Sequence, residues 1–155
     1  MDTATPPKQG ESCMEIATGY FARARQYADM GYALVSIAKT APWFLAKELN
    51  LYSCEALNPT DDILALKDKP DEYEKRYRKE ILSKIKATAI YHHLHLIAHQ
   101  ELTDKVVLMC YESVGKFCHR HIVAKWLEEK TGSSVKEVVL SQEAARGRCR
   151  IFSSA

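Results

Sequence analysis

Nearly continuous apolar runs alternate along this chain with segments whose apolar side chains recur every three or four positions. Residues 14–21, 32–38 and 106–111 are apolar stretches between turn-forming residues, the pattern of strands covered on both faces. Residues 52–57 and 135–140 are shorter strand candidates. Between them, 22–30 holds good helix formers with Gly31 just past its end, a usual helix stop. Residues 40–49 contain Pro42 and read as a loop or short helical turn. A turn at 58–61 leads into a short helix that Thr60 or Asp61 could cap, running through Leu66. The clearest helix spans 70–86. Pro70 suits its first turn, Asp71 and Glu72 its positive end, Lys84 and Lys86 its negative end, and Tyr73, Tyr77, Ile81 and Ile85 form one core-facing stripe. Further helices are predicted over 89–99 and 118–130, the second carrying Ile122, Val123, Trp126 and Leu127 on one face and closed by Gly132.

Strands alternating with helices predict an α/β fold: a single three-layer domain over residues 14–141, with a mostly parallel sheet flanked by helices. Such sheets bind ligands beyond the carboxyl ends of their strands. Residues 1–13, rich in Thr, Pro, Gly and Ser, read as a disordered arm, and 142–155, with Arg146, Arg148 and Arg150, as a basic tail.

Composition narrows the functional classes. A length of 155 residues suits one domain, and a formal charge of +2 gives no bulk attraction to nucleic acid or to a membrane surface. No apolar run approaches the roughly 20 residues that span a bilayer, and the first residues lack a basic segment followed by an apolar core. No membrane partner is expected, and a cytoplasmic location is. The five cysteines, at 13, 54, 110, 118 and 149, are an odd number without the spacing of a disulfide framework, so they read as reduced thiols. Nothing in the pattern indicates an oligomeric state.

The chemistry concentrates at Cys110-Tyr111-Glu112, where the third long strand ends, and at Cys118-His119-Arg120-His121, where the next helix begins. A helix start offers free backbone N–H groups to an anion. Arg120 adds a planar donor fork suited to phosphate or carboxylate, and Glu112 a carboxylate able to act as base, acid or hydroxyl acceptor. Cys118 stands where a helix start can activate a thiol. His119 joins the ligand-binding candidates, although His119 and His121, two apart, cannot share a helical face. Tyr20 lies near the end of the first strand with Arg23 following it, and Ser36 and Lys39 end the second, so a parallel sheet would bring them to the same rim. Trp43, with Phe44, would give an aromatic wall for a base. Structural readings stand beside each: Cys110 as a small core residue, Arg120 paired internally, Trp43 and Phe44 plugging the core beneath a loop.

No nucleotide loop of the G-x-x-x-x-G-K-[ST] or G-x-G-x-x-G kind occurs, nor a G-x-S-x-G elbow, and no cofactor is implied. Cys110, Cys118, His119 and His121 contain zinc-type ligands but not zinc spacing. His92, His95 and His99 can share a helix face without completing a metal motif. A metal is therefore not expected.

These residues resemble a known family. Leu108-Met109-Cys110-Tyr111-Glu112, followed by Phe117-Cys118-His119-Arg120 and a helix running to Trp126-Leu127, is similar to the C-x-E and C-H-R signature of the bacterial and phage proteins called domain of unknown function 488. Thr18-Gly19-Tyr20-Phe21 and Ser36-Ile37-Ala38 leading to Pro42-Trp43-Phe44 resemble its phage and prophage members. The resemblance extends over about residues 15–130. It implies a compact α/β domain and marks Cys110, Glu112, Cys118, His119 and Arg120 as motif positions, without implying an activity. The expected function is binding of a phosphate-bearing ligand, a nucleotide or nucleic-acid end, with Arg120 on the phosphate and hydrolase or transferase chemistry at Glu112 and Cys118. The alternatives are a non-catalytic phage or bacterial protein that binds a host factor and, third, a zinc-binding protein.

Overall fold

The computed structural model describes residues 14–113 and 115–140; the sequence readings of 1–13 as an arm and 142–155 as a tail lie outside them. Five strands form one all-parallel sheet in the order β3-β2-β4-β1-β5. They are β1 (Glu15–Tyr20), β2 (Ala33–Ser36), β3 (Leu51–Ser53), β4 (Lys105–Cys110) and β5 (Val135–Glu137). The helices are α1 (Ala24–Asp29), α2 (Trp43–Glu48), α3 (Asp61–Leu64), α4 (Pro70–Glu80), α5 (Ala87–Gln100) and α6 (His119–Thr131). The fold is the α/β class expected from the alternation of elements.

Strand periodicity divides the core in two. From β4, Val106 and Leu108 join Ile16, Val35, Tyr77, Leu94 and Trp126 on the face covered by α3 to α6. Val107 and Met109 point the other way and pack with Ala17, Leu34, Tyr27 and Leu45 under α1 and α2. Strand β4 lies between β1 and β2, and its residues Val106 to Met109 are wholly buried. That is why its sequence is an unbroken apolar run rather than an alternating one.

Several boundaries differ from the sequence reading. Residues 40–49 contain a true helix, α2, started after the extended Pro42. The strand expected over 52–57 ends at Ser53 and gives way to a 3-10 turn, Glu55–Leu57, that buries Leu57. The helix expected over 70–86 stops at Glu80. Ile81 departs from helical geometry, and the 3-10 turn Leu82–Lys84 drives Leu82 into the core. Consequently Tyr73 and Tyr77 are buried as expected, while Ile81 and Ile85 are only partly so. At the other end of the chain, Gly132 closes α6 in the left-handed conformation, where glycine escapes the Cβ penalty.

Gly19, inside β1, permits a close approach. A Cβ there would lie 2.6 Å from ring atoms of Tyr27, which is fully buried and accepts a hydrogen bond from the Tyr20 N–H at 3.2 Å. The contact is within a packed layer, so Gly19→Ala should lower unfolding free energy by about 1–3 kcal/mol through overpacking. Urea denaturation of the two proteins measures it; an unchanged midpoint would show that Tyr27 moves aside freely.

Candidate functional site

Sheet topology decides where a cleft forms. The chain leaves β2 toward β3 on one side, and leaves β4 across β1 toward β5 on the other. Neighbouring strands whose onward connections diverge leave a crevice at their carboxyl ends. A cleft of about 490 Å³ lies there, within the size range of small-molecule sites. Ala38, Lys39 and Thr40 line it after β2, and Cys110, Tyr111 and Glu112 after β4. Pro59, Asp61, Leu64 and Lys67 come from α3 and its flanks, Tyr73 from α4, and Phe117, Cys118 and His119 from the entry to α6. The Tyr111 hydroxyl donates to the Thr40 carbonyl at 2.7 Å, tying the two strand-end loops together.

The charges at the cleft are in weak pairs. Lys39 meets Asp61 at 2.5 Å and Lys67 meets Glu112 at 3.7 Å, with all but the Glu112 side chain well exposed. Such pairs contribute about 0–1 kcal/mol each, so a ligand's charge can replace either partner. Aromatic surface comes from Tyr111 and from Tyr73 and Phe117, packed edge to face at 5.0 Å.

Cys118 is the buried residue immediately before α6, and its sulfur is bonded to that of Cys110. This corrects the reading of both as reduced thiols: β4's end and α6's start converge, which eight residues of separation do not reveal. His119 is buried, and its Nε2 lies 2.6 Å from the Ile37 carbonyl oxygen. Since that oxygen only accepts, Nε2 carries the proton and Nδ1 is left with a lone pair, 3.8 Å from Cys118 Sγ. Burial pushes the imidazole pKa down to about 4, against the raising effect of the Ile37 carbonyl and helped by Arg120 and His121 nearby. His119 is thus neutral at physiological pH.

Arg120 is fully buried and does not line the cleft, so the expectation that it offers its guanidinium to a ligand is corrected. All five of its N–H groups are used. Nε and Nη2 donate to the Glu137 carboxylate at 3.0 and 2.7 Å, Nη1 to the Glu112 carbonyl at 2.6 Å, Nη2 to the Ser113 carbonyl at 3.3 Å, and Nη1 to Cys110 Sγ at 3.1 Å. The carboxylate of Glu112 turns to the cleft while its backbone carbonyl turns to Arg120. The other expected residues divide. Lys39, His119, Glu112 and Cys118 share the cleft. Tyr20 is buried, its hydroxyl accepting from Arg23 Nε at 3.2 Å, and neither lines it. Ser36 is buried and caps the strand end, its Oγ accepting from the Ala38 N–H at 3.3 Å. Trp43 is 71% exposed on α2, edge to face with Phe44, so these two neither wall the cleft nor plug the core.

Sequence reasoning missed Asp61, Lys67, Tyr73 and Phe117 as cleft residues, since they reach it from the α3 region, α4 and the entry to α6 rather than from the strand ends. It also missed Glu137. The parallel register of β5 sets Glu137 beside Thr18 of β1, whose hydroxyl donates to it.

A family model described as the active DUF488-N3 subclade, DUF488-N3a, matches residues 53–131. The chain belongs to this family. The match contains the C-x-E and C-H-R residues and the α3 and α4 side of the cleft, but starts after β1 and β2, so Lys39 and the Thr18 and Pro42 segments lie outside it, as does Glu137. No curated protein and no solved structure matches the chain. Among the described residues, no helix is long and apolar enough to cross a membrane.

In this DUF488-N3a chain the buried Arg120 depends on Glu137. Burial pushes the Glu137 carboxyl up, but His121, Arg120 and Thr18 together outweigh burial and bring its pKa down to about 2. A depressed carboxyl stabilises the fold above its unfolded pKa, near 4.3, and that stability fades as pH falls toward 2. Glu137→Gln should cost about 3–5 kcal/mol at pH 7, because it strands a buried guanidinium. Denaturant unfolding at pH 7 and pH 2.5 should show the gap between variant and wild type closing in acid; a gap independent of pH would contradict the assignment.

Proposed function

We propose that this DUF488-N3a member is an enzyme acting on a phosphate-bearing ligand, a nucleotide or nucleic-acid end, bound in the cleft between the ends of β2 and β4. The observation carrying this reading is the composition of that cleft: two lysines in exchangeable pairs, Lys39 and Lys67, line it together with the aromatic residues Tyr73, Tyr111 and Phe117. The lysines would take the phosphate, leaving Asp61 and Glu112 free of their present partners. An aromatic face would take a base. Glu112, released from Lys67, would accept the proton of a hydroxyl or water in hydrolase or transferase chemistry, with Cys118 lining the same cleft. Arg120 holds the loop that presents Glu112 rather than touching the ligand. The family description as an active subclade agrees with chemistry at this cleft. The resemblance of the N-terminal segments to phage and prophage members supports a cytoplasmic role in a phage-bearing cell.

A charge-assisted hydrogen bond contributes about 1.5–3 kcal/mol, so Lys39→Ala and Lys67→Ala should each weaken nucleotide binding by about tenfold or more. Glu112→Gln should retain binding and lose turnover. A nucleotide panel read by thermal shift, then by calorimetry for any hit, measures this; lysine variants responding like wild type would reject the phosphate assignment.

A second reading, a non-catalytic protein that binds a host factor, draws on the exposed Trp43 and Phe44. It requires a stoichiometric host protein whose capture Trp43→Ala abolishes and Glu112→Gln does not.

A further inference from the structure

The lining of the cleft brings together three metal-ligating atoms. Cys110 Sγ, Cys118 Sγ and one ring nitrogen of His119 all lie within 4.8 Å of one another, and all three residues are buried and line the cleft. We propose that the reduced protein binds one zinc ion through Cys110 Sγ, Cys118 Sγ and His119 Nδ1, with its fourth position facing the cleft.

Four features support the assignment. The Cα atoms of Cys110 and Cys118 are 7.4 Å apart, wider than the roughly 4.4–6.8 Å that disulfides usually bridge. An ion between the sulfurs needs more room than a bond: with Zn–S near 2.3 Å, tetrahedral sulfurs stand about 3.8 Å apart. Cys118 Sγ and His119 Nδ1 are already 3.8 Å apart, close to the roughly 3.6 Å expected of two ligands on one zinc. The Ile37 carbonyl holds the His119 Nε2 proton, which leaves Nδ1 as the free donor, the tautomer-fixing contact that zinc-bound histidines receive. Finally, Arg120 Nη1 points an N–H at Cys110 Sγ from 3.1 Å, a contact that suits an anionic sulfur better than a neutral one.

The balance is simple. A dithiol reductant delivers two electrons and two protons to the Cys110–Cys118 bond and leaves as its own disulfide. Zinc then displaces the two thiol protons. Two thiolates and a neutral imidazole cancel the ion's charge, so the buried site carries no net charge. Three protein ligands with an open position are the arrangement of catalytic rather than structural zinc. A water there would be acidified toward pKa ~7, in the same cleft as the Glu112 carboxylate. The site does not depend on the identity of the phosphate ligand, and metal binding is read separately from nucleotide binding.

The test uses the full chain purified in a thiol-reducing buffer without chelator. Elemental analysis should find about one zinc per chain, and Co²⁺ added to the metal-free reduced protein should produce a thiolate-to-cobalt charge-transfer band. Cys118→Ser and His119→Gln should lower zinc affinity by about tenfold or more. Cys54→Ala, a buried free cysteine in the core, should keep it. Wild-type protein that is shown by thiol titration to be reduced, yet takes up neither zinc nor cobalt, would overturn the proposal. So would a folded Cys118→Ser variant that binds zinc as tightly as wild type. If either ligand variant fails to fold, the wild-type cobalt spectrum still decides.

Discussion

The buried guanidinium of Arg120 is the constraint on which the site is built. A fixed positive charge with no exposure survives in a protein core only when its donors are met, and here each of the five N–H groups has an acceptor. Those acceptors belong to three separate stretches: the end of β4, the loop after it, and β5. Arg120 therefore joins the strand that ends at Cys110 to an edge strand that hydrophobic packing alone would hold weakly, since β5 has only three residues. Holding the Glu112 and Ser113 carbonyls inward also turns the Glu112 carboxylate outward. One structural residue thereby sets the direction of a neighbouring carboxylate.

The cleft itself follows from connectivity. Strands β2 and β4 are adjacent but send the chain in opposite directions, which leaves a crevice between their ends. Residues unremarkable in sequence gain significance because they border that gap. Lys67 is an ordinary surface lysine by its sequence surroundings, and becomes a candidate phosphate contact through position, beside Lys39, which the end of β2 already marked. The same geometry brings Cys110, Cys118 and His119 to the floor, where donor chemistry rather than linear spacing suggests an ion.

Sequence reading succeeded where a signal was local. The run 106–111 is apolar because β4 is covered on both faces, and its location was legible to within one residue. Tyr73 and Tyr77 are buried as their spacing requires, and Gly132 closes α6. It failed where the outcome depended on a partner from elsewhere. The stripe beyond Tyr77 ended early because burial of Leu82 outweighed continued helix. Trp43, large and apolar, stays on the surface, for α2 is short and buries only Leu45. Arg120 and Glu112 were placed in the right neighbourhood, but local pattern cannot tell a guanidinium facing a ligand from one facing a carboxylate seventeen residues ahead.

The amino-acid order by itself determined the strand and helix content, the parallel sheet that their alternation demands, and the family to which residues 53–131 match. Those are properties of short windows, where propensity, periodicity and motif spacing act directly. Tertiary structure alone decided that Glu137 rather than a ligand meets Arg120, that Asp61, Lys67 and Tyr73 share a cleft with Glu112, and that two cysteines and a histidine converge beneath it. Each of those outcomes depends on strand order and register, which are set by the energy of the whole packed core and leave no mark on any one segment.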